Sequence, residues 1–260
     1  AEMSRLRRDF LPADLQPLLE EAGVQGTVAV QARRTERETE WLLELADRHP
    51  FVLGVVGWVD LASPALESEL ERLSSRTRLV GLRELIHDMP DPGYAASPGH
   101  VSAVARMAKY GLAYDLLLRP AHIPAAIELV DSVPRQRFVV DHGAKPEVAS
   151  GELEPWASHI RELALRPNVY CKLSGLLTEA DWDAWRPEQF EPYLDTLLDA
   201  FGPGRLMLGS DWPVSTCAAD YVTATGLIRS YASQLTTSER NALLHDTCRD
   251  FYRLPPSASA

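Results

Sequence analysis

Leu206-Met207-Leu208-Gly209-Ser210-Asp211-Trp212-Pro213 is an apolar run of strand length that stops at a glycine-serine pair, delivers a carboxylate and then meets a proline. Proline has no N–H to give to a ladder, so the strand ends here and Asp211 stands at its C-terminal end. A buried parallel strand presents a catalytic acid in this way. The competing reading is that Asp211 only caps the helix that follows, since aspartate is a favoured N-cap. The stretch alone leaves both readings open.

Six further runs of the same kind precede it. Strands beginning near residues 27, 52, 79, 112, 138, 169 and 205 are spaced by 25 to 36 residues, the length of one strand-helix unit. Their runs are almost continuously apolar, as strands covered on both faces must be. Helix signals lie between them: Ser63-Pro64 as cap and first-turn proline, Pro124 at a helix start, Gly202 as a stop, and Thr236-Thr237-Ser238-Glu239 as a capping box. The pattern predicts an α/β fold, a (β/α)8 TIM barrel with seven of its eight units visible. The remaining strand is expected before Arg5. The domain prediction is one barrel over residues 1–254 and a short tail over 255–260. An open doubly wound sheet would need a glycine-rich phosphate turn after its first strand, and no G-x-G-x-x-G occurs.

Composition narrows the function classes. The chain has 260 residues, 45% of them hydrophobic, enough for one substantial core. Its 26 basic and 37 acidic residues give a net charge of −11, which argues against nucleic acid and against an anionic membrane surface as partners. Three cysteines, Cys171, Cys217 and Cys248, form no C-x-x-C pair and point to neither a disulfide framework nor a structural zinc site. With no apolar run near 20 residues, the expectation is a cytoplasmic protein.

Barrel enzymes draw their active sites from the C-terminal ends of the strands. Alternation along each run places Gln31, Trp58, Arg83, Asp115, His142, Lys172, Ser174 and Asp211 on the inward or rim face, with Arg119 just above. Each has a plain structural alternative: a satisfied core histidine, a lysine paired for stability, arginines forking loop carboxylates. Together they are too polar for positions inside apolar runs, and buried ionisable groups without partners are costly. Cys171 has the opposite parity and is expected among the helices, whereas His87 stands at a strand exit. The loops over 88–99 and 178–187 are the expected determinants of substrate.

Four stretches carry a resemblance: Arg7-Arg8-Asp9-Phe10-Leu11-Pro12, Val140-Asp141-His142-Gly143-Ala144-Lys145-Pro146, Cys171-Lys172-Leu173-Ser174-Gly175-Leu176 and Gly209-Ser210-Asp211-Trp212-Pro213. In order and spacing they are similar to the amidohydrolase superfamily, and more narrowly to its TIM-barrel lactonase branch, which includes L-fuconolactonase, L-rhamnonolactonase and 2-pyrone-4,6-dicarboxylate lactonase. The resemblance implies that Asp211 activates the hydrolytic water and that His142 lies beside the substrate carbonyl or a metal. Gln31, Trp58, Arg83, Lys172, Ser174, Arg119 and Trp212 would then hold the substrate. The resemblance also implies one divalent metal, zinc first, on Asp211 and His142, while a metal-free mechanism stays open. Two departures bear on this. The family's His-x-His pair on the first strand has no counterpart here, and Tyr114-Asp115-Leu116-Leu117-Leu118 holds no histidine where metal-binding members have one. The implied activity is hydrolysis of a small lactone, a sugar lactone first. The alternatives are a metal-dependent decarboxylase and a barrel that binds a ligand without chemistry.

Overall fold

The computed structural model describes residues 2–255, so the expected tail lies, beyond Pro255, outside the described residues. Seven strands form one sheet in sequence order, every neighbouring pair parallel. They are β1 (Thr27–Val30), β2 (Val52–Gly57), β3 (Leu79–Glu84), β4 (Ala113–Leu116), β5 (Phe138–Val140), β6 (Val169–Leu173) and β7 (Leu206–Leu208). Strand-helix alternation with short connections admits little else, because parallel neighbours need a crossover and a right-handed one returns the chain to the next position. β1 and β7 are the two ends of the sheet, and no eighth strand occurs among the described residues.

Most helices follow their predicted signals, but the helix Leu66–Ser74 begins after Ala65, so Ser63-Pro64 stands ahead of it rather than serving as its cap and first-turn proline. α1 (Pro12–Glu21) and α2 (Glu36–Arg48) flank β1, and Thr35 caps α2 by accepting from the Arg37 amide. α3 (Leu66–Ser74), α4 (Pro98–Met107), α5 (Ile123–Ser132), α6 (Trp156–Ala164) and α7 (Glu191–Phe201) separate the later strands. After β7 come α8 (Tyr221–Ala232), α9 (Thr237–Asn241) and α10 (Thr247–Tyr252). The capping box at Thr236 is present, with Glu239 N donating to Thr236 Oγ1 at 3.3 Å and Thr236 N donating to Glu239 Oε2 at 2.9 Å. Such a cap is worth about 1 kcal/mol.

Alternation sorts the strand residues into two apolar layers. Val55, Tyr114, Phe138, Val140, Cys171 and Leu206 belong to the large core between sheet and helices. Their chain neighbours Val56, Ala113, Val139 and Met207 form a separate inner cluster with Phe251 and Tyr252 of α10. The last helix thus fills the inside of the curled sheet. Above this layer the inward side chains turn polar, and Asp115 and Lys172 are both buried. The predicted β4 was too long: the run Leu112 to Arg119 reads as continuous strand, but the ladder ends at Leu116, and Leu117 accepts one further bond from the His87 amide.

His100 in α4 is also buried, its Nε2 3.0 Å from the Tyr114 hydroxyl and its Nδ1 without a partner. Burial pushes its pKa from near 6.5 down to about 4. The unfolded chain therefore takes up the proton first, so stability is full above pH 6.5 and falls as pH drops toward 4. His87, also pushed down to about 4 by burial, adds to the same trend. Urea unfolding at pH 7 and pH 5 should show a lower midpoint at pH 5, and His100→Phe should shrink that difference. An undiminished difference in the variant would refute the role of His100.

Candidate functional site

Just below the mouth lies a layer of four charges, of which Asp115, Asp141 and Lys172 are buried and Arg83 is half-buried. Lys172 Nζ is 2.5 Å from Asp115 Oδ2 and 2.7 Å from Asp141 Oδ1, and Arg83 Nη1 is 2.7 Å from Asp141 Oδ2. Tyr252 Oη donates to Asp115 Oδ2 at 2.7 Å from beneath. Arg83 Nη2 donates to the Gln31 carbonyl and to Gln31 Oε1, and Gln31 Nε2 donates to the Arg83 carbonyl at 3.2 Å. Two cations face two carboxylates, which is how charges can be kept out of water. Burial raises the Asp115 carboxyl against the pull of Lys172. Burial would raise Asp141 too, but Lys172 and Arg83 outweigh it and hold that carboxyl well below the usual range. Burial likewise works against the Lys172 charge, and the two aspartates outweigh it, so its pKa rises.

Asp141, not His142, takes the inward position that follows Val139 along β5. His142 reaches the mouth by another route, because the strand has ended at Val140 and the chain turns. His142, Gly143, Ala144 and Lys145 have φ of 54°, 57°, 59° and 52°. For the three non-glycine residues this left-handed conformation costs about 1–2 kcal/mol each, so it needs bracing. Trp156 Nε1, from α6, donates to the Gly143 carbonyl at 2.7 Å, and Lys145 N donates to the His142 carbonyl at 2.9 Å. Lys145 Nζ is also tied to Glu179 Oε1 at 2.5 Å, joining the β5 and β6 loops.

Three strand ends then converge. His142 Nδ1 is 2.8 Å from Ser174 Oγ after β6, and His142 Nε2 is 3.5 Å from Asp211 Oδ1 after β7. Glycines make the approach fit. A Cβ at Gly175 would stand 2.7 Å from the His142 ring, and one at Gly209 would stand 2.9 Å from Ser174 Oγ. Burial lowers the His142 pKa, against the opposing charges of Asp211 and Asp141, so the ring is neutral at physiological pH. A carboxylate opposite Nε2 favours the tautomer with its proton there, with Nδ1 accepting from the Ser174 hydroxyl. At 3.5 Å the His142–Asp211 contact is too long for a strong hydrogen bond, so both groups keep the capacity to bind one molecule placed to the side of the pair.

The other predicted residues take separate places. Trp58 Nε1 donates to Glu84 Oε2 at 3.1 Å, and Arg34 Nε donates to Glu84 Oε1 at 2.7 Å. Thr39 Oγ1 accepts from the Trp58 amide and donates to the Trp58 carbonyl, both at 2.8 Å, so this indole is held from two sides. Arg119 is exposed at the rim. Trp212 packs edge-on against Phe10, centroids 5.4 Å apart. The sequence reading missed Asp141, Glu84, Trp156 and Tyr252. For Asp141 the signal was there: two residues on from the inward Val139, it carries the parity that had been given to its neighbour.

As a metal site the described residues are incomplete. His142 Nε2 and Asp211 Oδ1 are two donors side by side, whereas zinc takes about four ligands. The carboxylates of the layer below are already engaged, Asp141 by Lys172 and Arg83 and Asp115 by Lys172 and Tyr252. Among the described residues no group of three or more histidine, cysteine or acidic side chains is arranged to hold an ion. Nor is any described helix long and apolar enough to cross a membrane.

Known proteins resemble this chain along most of its length. An L-fucono-1,5-lactonase of Burkholderia multivorans is 38% identical over 271 aligned residues, covering 100% of this chain and 91% of that one. An L-fucono-1,5-lactonase of Burkholderia ambifaria is 42% identical over 221 residues, 84% of this chain and 75% of its own. A crystal structure of a Burkholderia multivorans amidohydrolase with bound zinc superimposes with a TM-score of 0.93 at 39% identity, covering 98% of this chain and 92% of that one. The sequence model of the amidohydrolase family matches residues 2–254, and the chain therefore belongs to the amidohydrolase family.

Proposed function

We propose that the protein hydrolyses a small sugar lactone at the mouth of the barrel, with Asp211 as general base and His142 as the donor to the carbonyl oxygen. The observation that carries this reading is the approach of His142 Nε2 and Asp211 Oδ1 to 3.5 Å above a charge-balanced layer. A water hydrogen-bonded to Asp211, to the side of the pair, loses a proton to that carboxylate as its oxygen attacks the lactone carbonyl carbon. The imidazole N–H then meets the negative charge that develops on the carbonyl oxygen, in a site already poor in water. Collapse of the adduct breaks the ring C–O bond, Asp211 returns its proton to the departing alkoxide, and the hydroxy acid so formed gives its carboxyl proton to solvent and leaves as its anion.

A neutral, hydroxylated lactone suits the mouth better than a carboxylated one. Arg83 is already bonded to Asp141 and Gln31, so its fork is not free for a substrate carboxylate. Trp58 offers a fixed aromatic face of the kind on which a sugar ring packs, and the two Burkholderia relatives are lactonases of a sugar acid. Zinc, bound in the Burkholderia multivorans structure, would find His142 and Asp211 here, two donors that do not make a zinc site by themselves. No step above is routed through a metal.

Proton release at neutral pH over a panel of sugar lactones and dicarboxylated pyrones, with and without chelator, tests the reading. Turnover of a sugar lactone is expected. Turnover confined to the pyrones, or none at all, would overturn the assignment, and loss on chelation would assign a metal to the chemistry. Asp211→Asn should lower kcat by roughly a hundredfold or more with the circular dichroism unchanged, in the range expected for a general base; near-normal turnover would remove Asp211 from that role. Gly175→Ala, which drives a methyl group into the His142 ring, should lower kcat about tenfold while the protein stays folded. A wild-type kcat in that variant would mean that the ring does not have to sit where it does.

A further inference from the structure

The first described residues lie across the loop that presents Asp211. Helices of a strand-helix barrel run antiparallel to the strands, so α1, which leads to the start of β1, begins on the mouth side, and the residues before Pro12 lie at the rim. Arg5 Nη1 donates to the carbonyls of Thr216 at 3.3 Å and Cys217 at 3.1 Å, the end of the short turn that follows Asp211. The Phe10 ring meets the edge of Trp212, the residue next to Asp211, and the Arg8 guanidinium caps Phe10 at 4.0 Å from its centroid.

The loop needs such support. Asp211 has φ of 53°, a left-handed backbone that an aspartate keeps only when its surroundings hold it. Within the loop, Ser215 N donates to the Asp211 carbonyl at 2.8 Å, and Trp212 N donates to Ser210 Oγ at 3.2 Å. Those bonds close the turn but do not fix it against the barrel. The segment over 5–10 does that at two points, Trp212 through Phe10 and the 216–217 carbonyls through Arg5, beside Trp185 Nε1, which donates to the Ala218 carbonyl at 3.1 Å. The side chain whose direction depends on this backbone is the carboxylate facing His142.

We propose that Arg5 and Phe10 are positioning residues that clamp the Asp211 loop and set the carboxylate against His142. The clamp rests on the reading of Asp211 as the base for its catalytic consequence, though not for its existence. Asp211 does the chemistry, and the segment over 5–10 supplies its geometry.

The full-length protein and the variants Arg5→Ala, Phe10→Ala, Arg5→Lys and Arg7→Ala test this. Arg7 is exposed on the same segment, and removing its charge serves as the control. Amide hydrogen exchange of a peptide spanning 209–217 should speed up at least tenfold in Arg5→Ala and Phe10→Ala, and stay as in wild type in Arg7→Ala. On the lactone turned over, the same two variants should lose about tenfold in kcat, as a misplaced base does, with KM within about twofold, and Arg5→Lys should recover much of the loss. Unchanged exchange in both alanine variants overturns the clamp. Faster exchange with a wild-type kcat overturns its positioning role. If the wild-type protein turns over no lactone, exchange still decides the clamp, and it is the role of Asp211 as base that falls.

Discussion

The ammonium of Lys172, wedged between Asp115 and Asp141 out of reach of water, is the contact on which the site is built. Removing charges from solvent costs several kcal/mol per ion, recovered only when geometry and further hydrogen bonds satisfy every member. Arg83, Gln31 and Tyr252 provide most of those bonds, while Asp115 Oδ1 and Arg83 Nε are left without a hydrogen-bond partner among the described residues. The set ties β1, β3, β4, β6, the start of the turn after β5 and the last helix to one point. Each of these elements could slide by a residue against apolar neighbours at modest cost, but not against this cluster, since a slip of one residue sends the charged side chains to the opposite face.

From that fixed point the rest of the site follows in steps. Asp141 is held inward, so the next residue begins the turn, and the left-handed run over residues 142–145 swings the imidazole up and over Ser174. Strain there is sustained by rigid neighbours: the indole of Trp156 on one carbonyl and the Lys145–Glu179 pair beyond it. Gly175 and Gly209 leave the space that the ring and the serine occupy. A Cβ at either would separate groups whose value lies in their closeness.

Much of this was legible in the sequence, because the determinants of the strands are local. Apolar runs at unit spacing identify all seven strands, and the Gly-Ser-Asp-Trp-Pro ending places Asp211. Alternation failed where strand geometry stops: counting through Val140 gave His142 the parity that belongs to Asp141. The apolar leucines Leu117 and Leu118 likewise lengthened β4, since apolarity reports burial and both are buried, whereas the ladder ends where the pairing does. Nothing in periodicity announces that Phe10 meets Trp212 or that Tyr252 reaches Asp115. These contacts join residues more than a hundred positions apart, and the backbone that brings them together is set by packing rather than by local preference.

The charge balance of the mouth gives the layer a consequence for turnover. Lys172 and Arg83 cancel Asp115 and Asp141, and a neutral His142 adds nothing, so Asp211 is the surplus charge of this group. On the proposed reading a neutral lactone meets no repulsion on entering. Its hydrolysis there would make an anion beside that same carboxylate, and two like charges a few ångströms apart in a partly buried site repel by about 4 kcal/mol at an effective dielectric constant of 20. Had Lys172 or Arg83 been free, either would have held the product carboxylate. On the proposed reading, committing both to buried aspartates leaves the site open to a neutral substrate and repellent to its anionic product.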